Sequence, residues 1–307
     1  GYSENIRDVL RNFEYYTKAR KLADNDRLLS IIERITDPRI NLTDKNTIDP
    51  DGLPLPALTN VGMGTVFEEL LRRFNEENNE EAGEHFTPRD AISLLAHLVF
   101  EPVKEDLPKI ITLYDPACGS GGMLTESREY LLDLGVRSAA IQLSGTEINP
   151  ETYAICKSDL IIKGVDPSGI HWGNTITDNS FSDKSFGYMI TNPPYGKSWK
   201  EDKKKIYHEK MLLDHRFELT LTNYIGEEEV LDSTPRTSDG QLLFLLEEVD
   251  KMKPLEFQPQ GSRIASIHNG SSLFTGDAGS GESNIRRYLI EKDSVSYTHL
   301  TLPTIRL

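Results

Sequence analysis

The sequence predicts an α/β protein: a parallel sheet with helices on both faces, preceded by an all-α N-terminal domain. Two observations carry this. From Ile110 onward, apolar runs of strand length alternate with longer stretches of helical spacing. Two of those runs end in turns of unusual composition. Asp115-Pro116-Ala117-Cys118-Gly119-Ser120-Gly121-Gly122 follows one, and Asn192-Pro193-Pro194-Tyr195 follows a later one. Ligands of open parallel sheets bind outside the carboxyl ends of strands, where both turns fall.

Residues 5–35 place Ile6, Val9, Leu10, Phe13, Leu22, Leu28, Leu29 and Ile32 at helical spacing. Pro38, Pro50, Gly52, Pro54 and Pro56 make residues 36–60 a loop. Val66, Phe67, Leu70, Leu71 and Phe74 form one stripe of a helix over Met63–Asn78. The acidic run Glu76–Glu84 reads as a solvated helix end and linker, which puts a boundary near Glu81. Residues 1–80 are thus the helical domain, and residues 81–293 the α/β domain. Thr87 is expected to cap the next helix, with Pro88 in its first position and Asp90 near its positive end. Strands are then expected at Ile110–Tyr114, Ile141–Glu147, Ile170–Trp172 and Tyr188–Thr191. Helices are expected at Met123–Leu134 and Pro150–Lys163. A long polar insertion runs to about Asp239, followed by a helix (Leu242–Met252), a strand (Arg263–Ile267) and a helix (Asn284–Glu291).

Composition excludes several classes. Hydrophobic residues at 37% and charged residues at 27% fit a soluble globular chain. No stretch approaches the roughly 20 apolar residues of a membrane span. The N-terminus has no secretory pattern, and two cysteines build neither a disulfide framework nor a metal site, so the cytoplasm is the expected location. The net charge is −15, from 34 basic and 49 acidic residues. That sign is wrong for gripping a nucleic-acid backbone unaided. Nucleic-acid work would need a local basic patch or a partner.

The Gly-rich turn is not a dinucleotide fingerprint, because Leu124 stands where its third glycine would be. Its glycines let a ligand approach the backbone, and Asp115 can accept from an ammonium or orient the loop. A tight turn without a ligand fits the turn alone equally well. Glu147, ending the next strand, favours the ligand, since an acidic residue there can take ribose hydroxyls. Asn192–Tyr195 suits an amine. The Asn192 amide oxygen and the Pro193 carbonyl can accept the hydrogens of a conjugated amino group and aim its lone pair at a methyl donor. The two prolines stiffen the loop, and Tyr195 offers a face for stacking a base drawn out of its duplex. Lys197, Lys200, Lys203 and Lys204, with Lys205, Lys210, Trp199 and Tyr207, form a basic cluster with interleaved aromatics. It reads either as a DNA-backbone contact or as a solvated loop. Cys118 reads as a packing residue, and His85 and His268 as structural.

Gly83–Arg89, the Asp115–Gly122 turn and Asn192–Gly196 together resemble the modification (methyltransferase) subunit of type I restriction–modification systems. Ser238–Phe244, Gly270–Gly276 and Asn284–Arg287 resemble later segments of that family. The resemblance implies a Rossmann-like class I S-adenosylmethionine-dependent methyltransferase sheet and N6-adenine methylation of DNA. It implies that His85, Phe86, Thr87, Pro88 and Arg89 lie along the methionine part of the cofactor. Asp115, Ala117, Ser120, Gly121 and Gly122 would line the same pocket, and Glu147 would hold the ribose. Asn174 would lie near the cofactor's adenine, where the family often has Asp. Asn192, Pro193, Pro194 and Tyr195 would receive the target adenine. The implied partners are DNA, a specificity subunit, a second methyltransferase subunit and a restriction (endonuclease/translocase) subunit. Transfer to RNA or a protein glutamine, or a non-catalytic scaffold role, are the competing readings. Residues 294–307 break the pattern, and Val295–Leu300 resembles a translated sequencing adapter. They are expected to be a foreign tail on a C-terminally truncated domain.

Overall fold

The computed structural model describes residues 2–77, 87–208, 211–223 and 225–295. His85 and Phe86 lie outside the described residues, as does the tail from residue 296 onward. Five parallel strands form the central sheet: β3 (Ile111–Asp115), β4 (Ile141–Glu147), β5 (Ile170–Trp172), β6 (Tyr188–Thr191) and β11 (Arg263–Ser266). Their order is β11-β6-β3-β4-β5. Chain direction across the sheet therefore reverses between β3 and β6, which creates a crevice at their carboxyl ends. Register puts Asp115 opposite Gly145, and Thr191 opposite Ser266, at one edge. The Asp115 and Asn192 turns flank that crevice.

Strands β3 and β6 are buried almost throughout because helices cover both faces. Helices α5 (Arg89–Phe100), α6 (Gly122–Asp133) and α7 (Pro150–Ile162) supply one part of the core. Ile92, Phe100, Leu113, Leu124, Cys156 and Leu160 meet there. Asn149 caps α7, its Oδ1 accepting from Glu151 N at 2.9 Å and Thr152 N at 3.0 Å, and Pro150 takes the first position.

The helical N-terminus is made of three helices: α1 (Glu4–Asn12), α2 (Tyr15–Asp24) and α3 (Leu28–Ile35). Glu14 and Asp26 adopt left-handed conformations, each with φ 52°, and break the run. Helix α1 packs on α7, where Asp8 accepts from the Tyr153 hydroxyl (2.6 Å) and Lys157 Nζ (2.9 Å). The expected loop carries a short antiparallel pair, β1 (Thr47–Ile48) with β2 (Pro54–Leu55), before helix α4 (Asn60–Glu77).

The largest correction concerns residues 196–239. The sequence marks them only as a long polar insertion, without elements. They hold helix α8 (Lys200–Ile206) and two hairpins, β7 (Tyr207–His208) with β8 (Met211–Leu212) and β9 (Leu219–Thr222) with β10 (Glu228–Leu231). Trp199, Ile206, Phe217, Leu219, Leu221 and Leu231 are buried against helices α9 (Gln241–Asp250) and α10 (Gly281–Glu291) as a second core. Apolar residues spaced among charges hid this core, because its partner helices come later in the chain.

Candidate active site

The Gly-rich turn joins β3 to α6 through two left-handed glycines, Gly119 (φ 53°) and Gly121 (φ 90°). A Cβ on Gly121 would lie 2.8 Å from Cys156 Sγ, so the turn sits directly on α7. Cys118 is buried there as packing, and its N–H donates to Thr146 O at 3.0 Å. Glu147 reaches from β4 into the same turn. One carboxylate oxygen accepts from Gly119 N (3.0 Å), the other from Asn149 N (2.7 Å).

Asp115 is buried at the end of β3. Its Oδ1 accepts from Ala117 N (3.0 Å) and from the Thr191 hydroxyl (2.6 Å), which ties β3 to β6. Its Oδ2 is buried without a partner. Burial pushes this carboxyl up to about 7, against the hydrogen bonds from Thr191 and Ala117, and the charge of Glu147 adds to the rise. An unpartnered acceptor beside a glycine turn fits an amino-acid ammonium group. Behind it, Glu248 is fully buried with neither oxygen partnered. Burial, then the charges of Asp115 and Glu247, push its carboxyl well up.

The Asn192 amide is oriented by the segment preceding α5. Its Nδ2 donates to Thr87 Oγ1 at 3.1 Å. Thr87 was expected to cap α5 with Pro88 as the first helical residue. Instead Pro88 is the cap residue, with no side-chain cap bond, and the Thr87 hydroxyl turns to Asn192. Asn192 Oδ1 is thereby presented as an acceptor, buried and without a partner. Pro193 is buried, while Pro194 and Tyr195 are exposed. Arg89 pairs with Glu126 at 3.4 Å.

Asn174 lies just past β5, and both ends of its side chain bond within the protein. Oδ1 accepts from Ile176 N (3.0 Å), and Nδ2 donates to Asp202 Oδ1 (2.8 Å). Arg216, buried in the second core, holds this turn from below. It donates to the carbonyls of Thr175 (2.7 Å) and Ile176 (2.9 Å), and pairs with Asp214 and Glu247. Sequence reasoning missed Arg216, since nothing in its local sequence sets it apart from the chain's exposed arginines.

The basic cluster is corrected in part. Trp199 is 2% exposed, and its Nε1 donates to Arg236 O at 2.9 Å, so it is a core residue and not a stacking platform. Lys203 lies over the rings of Trp199 and Tyr207, and Lys204 pairs with Glu201. Lys197, Lys200 and Lys204 are exposed around α8.

The family model described as N-6 DNA Methylase matches residues 60–305. This chain belongs to that family. Among N-6 DNA methylase relatives, the type I restriction enzyme MjaIX methylase subunit of Methanocaldococcus jannaschii is 27% identical over 234 residues, 76% of this chain. The HindI methylase subunit of Haemophilus influenzae is 25% identical over 57% of this chain. The chain spans 36% and 41% of those two proteins' lengths. A methyltransferase subunit of a type I restriction–modification system from Streptococcus thermophilus superposes with TM-score 0.51 at 23% identity, covering 68% of this chain and 39% of that one. A putative class I S-adenosylmethionine-dependent methyltransferase from Listeria monocytogenes gives TM-score 0.53 at 15% identity, covering 76% and 60%. Both show the same Rossmann-like fold. Among the described residues, no helix is long and apolar enough to cross a membrane.

Proposed function

We propose that this chain is the methyl-transferring part of a type I modification subunit, acting on adenine N6 in DNA. The observation that carries the reading is the unpartnered Asn192 Oδ1, held in orientation by Thr87 at the crevice between β3 and β6. A buried acceptor left without a donor costs about 1–3 kcal/mol, and a substrate amino group restores the missing bond. S-adenosylmethionine is the cofactor, and when bound it supplies an electrophilic methyl on sulfur. Asp115 Oδ2 takes its ammonium, Glu147 its ribose, and Ala117, Ser120, Gly121 and Gly122 line the pocket with the segment His85–Arg89. Asn174 shapes the pocket's adenine end through its turn. Asn192 Oδ1 and the Pro193 carbonyl accept the two N6 hydrogens of the target adenine. This withdraws the nitrogen lone pair from the ring and aims it at the methyl. Exposed Tyr195 stacks on the base, and Lys197, Lys200, Lys203 and Lys204 lie where a displaced strand would pass.

The acidic net charge supports delivery of DNA by a specificity subunit, with a second methyltransferase subunit and a restriction subunit completing the assembly in the cytoplasm. Residues 1–80 serve as the helical domain facing those partners, and residues 81–293 as the transfer domain. The test is tritiated methyl transfer to unmodified DNA, with and without a co-expressed specificity subunit. Adenine-N6 label that disappears in Asn192→Ala, with S-adenosylmethionine binding kept, is the expected result. Label appearing only on RNA or protein, or none at all, refutes it.

A further inference from the structure

Asp239 and Gln241 have no role in the reading above, yet both are buried, at 7% and 2% exposure. Their hydrogen bonds connect the two loops that bound the crevice on the β6 side. Pro193 and Pro194 have no N–H, so the loop after Asn192 has little backbone to pin it. The Gly196 N–H, at a left-handed residue (φ 69°), donates to Asp239 Oδ1 at 3.2 Å. Asp239 Oδ2 accepts from Gln241 Nε2 at 2.7 Å and from Arg236 at 3.2 Å. That bond fixes which way the Gln241 amide faces. Its Oε1 then accepts from Asn269 N (3.0 Å) and the His268 ring Nδ1 (3.1 Å), in the loop after β11. The intervening Gly240 is seated on Trp199, where a Cβ would come within 3.1 Å of the indole.

The geometry points to Asp239 and Gln241 as positioning residues, a two-residue clasp that holds the Asn192–Gly196 loop in fixed relation to the loop after β11. This rests on the methyl-transfer reading of the Asn192 site. One end of the loop is set by Thr87 and the other by the clasp, and the rigid diproline transmits both constraints to the acceptor atoms. Hydrogen bonds from Gln241, Gly196 and Arg236 outweigh burial and hold the Asp239 carboxyl below its usual range, so the clasp is charged at neutral pH. Burial pushes His268 down to about 4, against the attraction of Asp239. The ring is therefore neutral and carries its proton on Nδ1, facing Gln241.

The experiment compares the wild type, Asp239→Asn and the reciprocal exchange Asp239→Asn/Gln241→Glu, each assembled with the specificity subunit. Single-turnover methyl transfer to unmodified DNA is measured beside S-adenosylmethionine affinity by titration. In Asp239→Asn two amide nitrogens face each other, and displacement of the loop lowers the transfer rate by about 10- to 100-fold while cofactor affinity stays within about twofold. The reciprocal exchange restores an amide–carboxylate pair with acceptors for both Gly196 and Asn269, and returns the rate to within about threefold of wild type. Transfer by Asp239→Asn at the wild-type rate overturns the clasp, as does a loss of rate matched by an equal loss of cofactor affinity. Where Asp239→Asn does not fold, the exchange decides: folded, cofactor-binding and inert refutes the inference, and active supports it. A wild-type assembly that transfers no methyl removes the functional reading itself, a result separate from these.

Discussion

Asp115→Asn tests whether the carboxyl at the end of β3 is built for a cationic ligand. The carboxyl is pushed from 3.8 to about 7 in the folded protein, mainly by burial. A raised folded value means that the native state binds the proton more tightly than the unfolded chain. The resulting stability is fully present below about 4 and is lost as pH rises through about 7. Between pH 5 and pH 8 the loss comes to about 3 kcal/mol, at about 1.4 kcal/mol for each tenfold in proton affinity. Asn keeps an acceptor for Ala117 N and the Thr191 hydroxyl but cannot ionise, so that component of the pH dependence vanishes. Urea unfolding of the ligand-free protein at pH 5, 6, 7 and 8 measures it. The wild type should weaken with pH more steeply than Asp115→Asn. Cofactor binding should show the opposite sign. An ammonium at Oδ2 requires the ionised carboxylate, so wild-type affinity rises from pH 5 to pH 8 while the variant's is weak and flat in this range. Parallel stability profiles in the two proteins would falsify the buried-carboxyl argument, and parallel affinity profiles would remove Asp115 from the ammonium site.

Asn192→Ala should bind S-adenosylmethionine as wild type and transfer no detectable methyl in the tritium assay. Gly121→Ala must place a Cβ 2.8 Å from Cys156 Sγ at φ 90°, and should lower unfolding stability by about 1–3 kcal/mol in a urea titration. Arg216→Leu leaves the carboxylates of Asp214 and Glu247 without their buried partner, and should cost about 3–5 kcal/mol by the same measurement. Trp199→Ala should cost about 3–5 kcal/mol, as for a large buried aromatic; an unchanged denaturation midpoint with weakened DNA binding would restore it as a surface stacking residue.

Much of the fold was legible locally. Strands β5 and β6 fall where the apolar runs place them. Strand β3 begins and ends a residue later than its apolar run, which brings Asp115 into the strand. The N-terminal helices were foreseen as helical, but the breaks at Glu14 and Asp26 were not, because neither is a residue type that marks a left-handed turn as Gly does. Their apolar spacing misleads as well: Leu29 and Ile32 remain 67% and 47% exposed on α3. The elements of residues 196–239 were not legible, because a core assembled from distant helices leaves no periodicity within the segment itself.

The amino-acid sequence by itself determined where chemistry is concentrated. Gly119, Gly121, Pro193 and Pro194 act through backbone dihedrals, which are local properties of the chain. Asp115, Glu147 and Asn192 then follow from their places at strand ends. Only the tertiary structure decided how those groups are held. The bonds from Asn192 to Thr87 and from Gly196 to Asp239, and the burial of Trp199, each join residues far apart in sequence. Such pairings depend on the strand order β11-β6-β3-β4-β5, set by packing of the whole chain and not by any window of it.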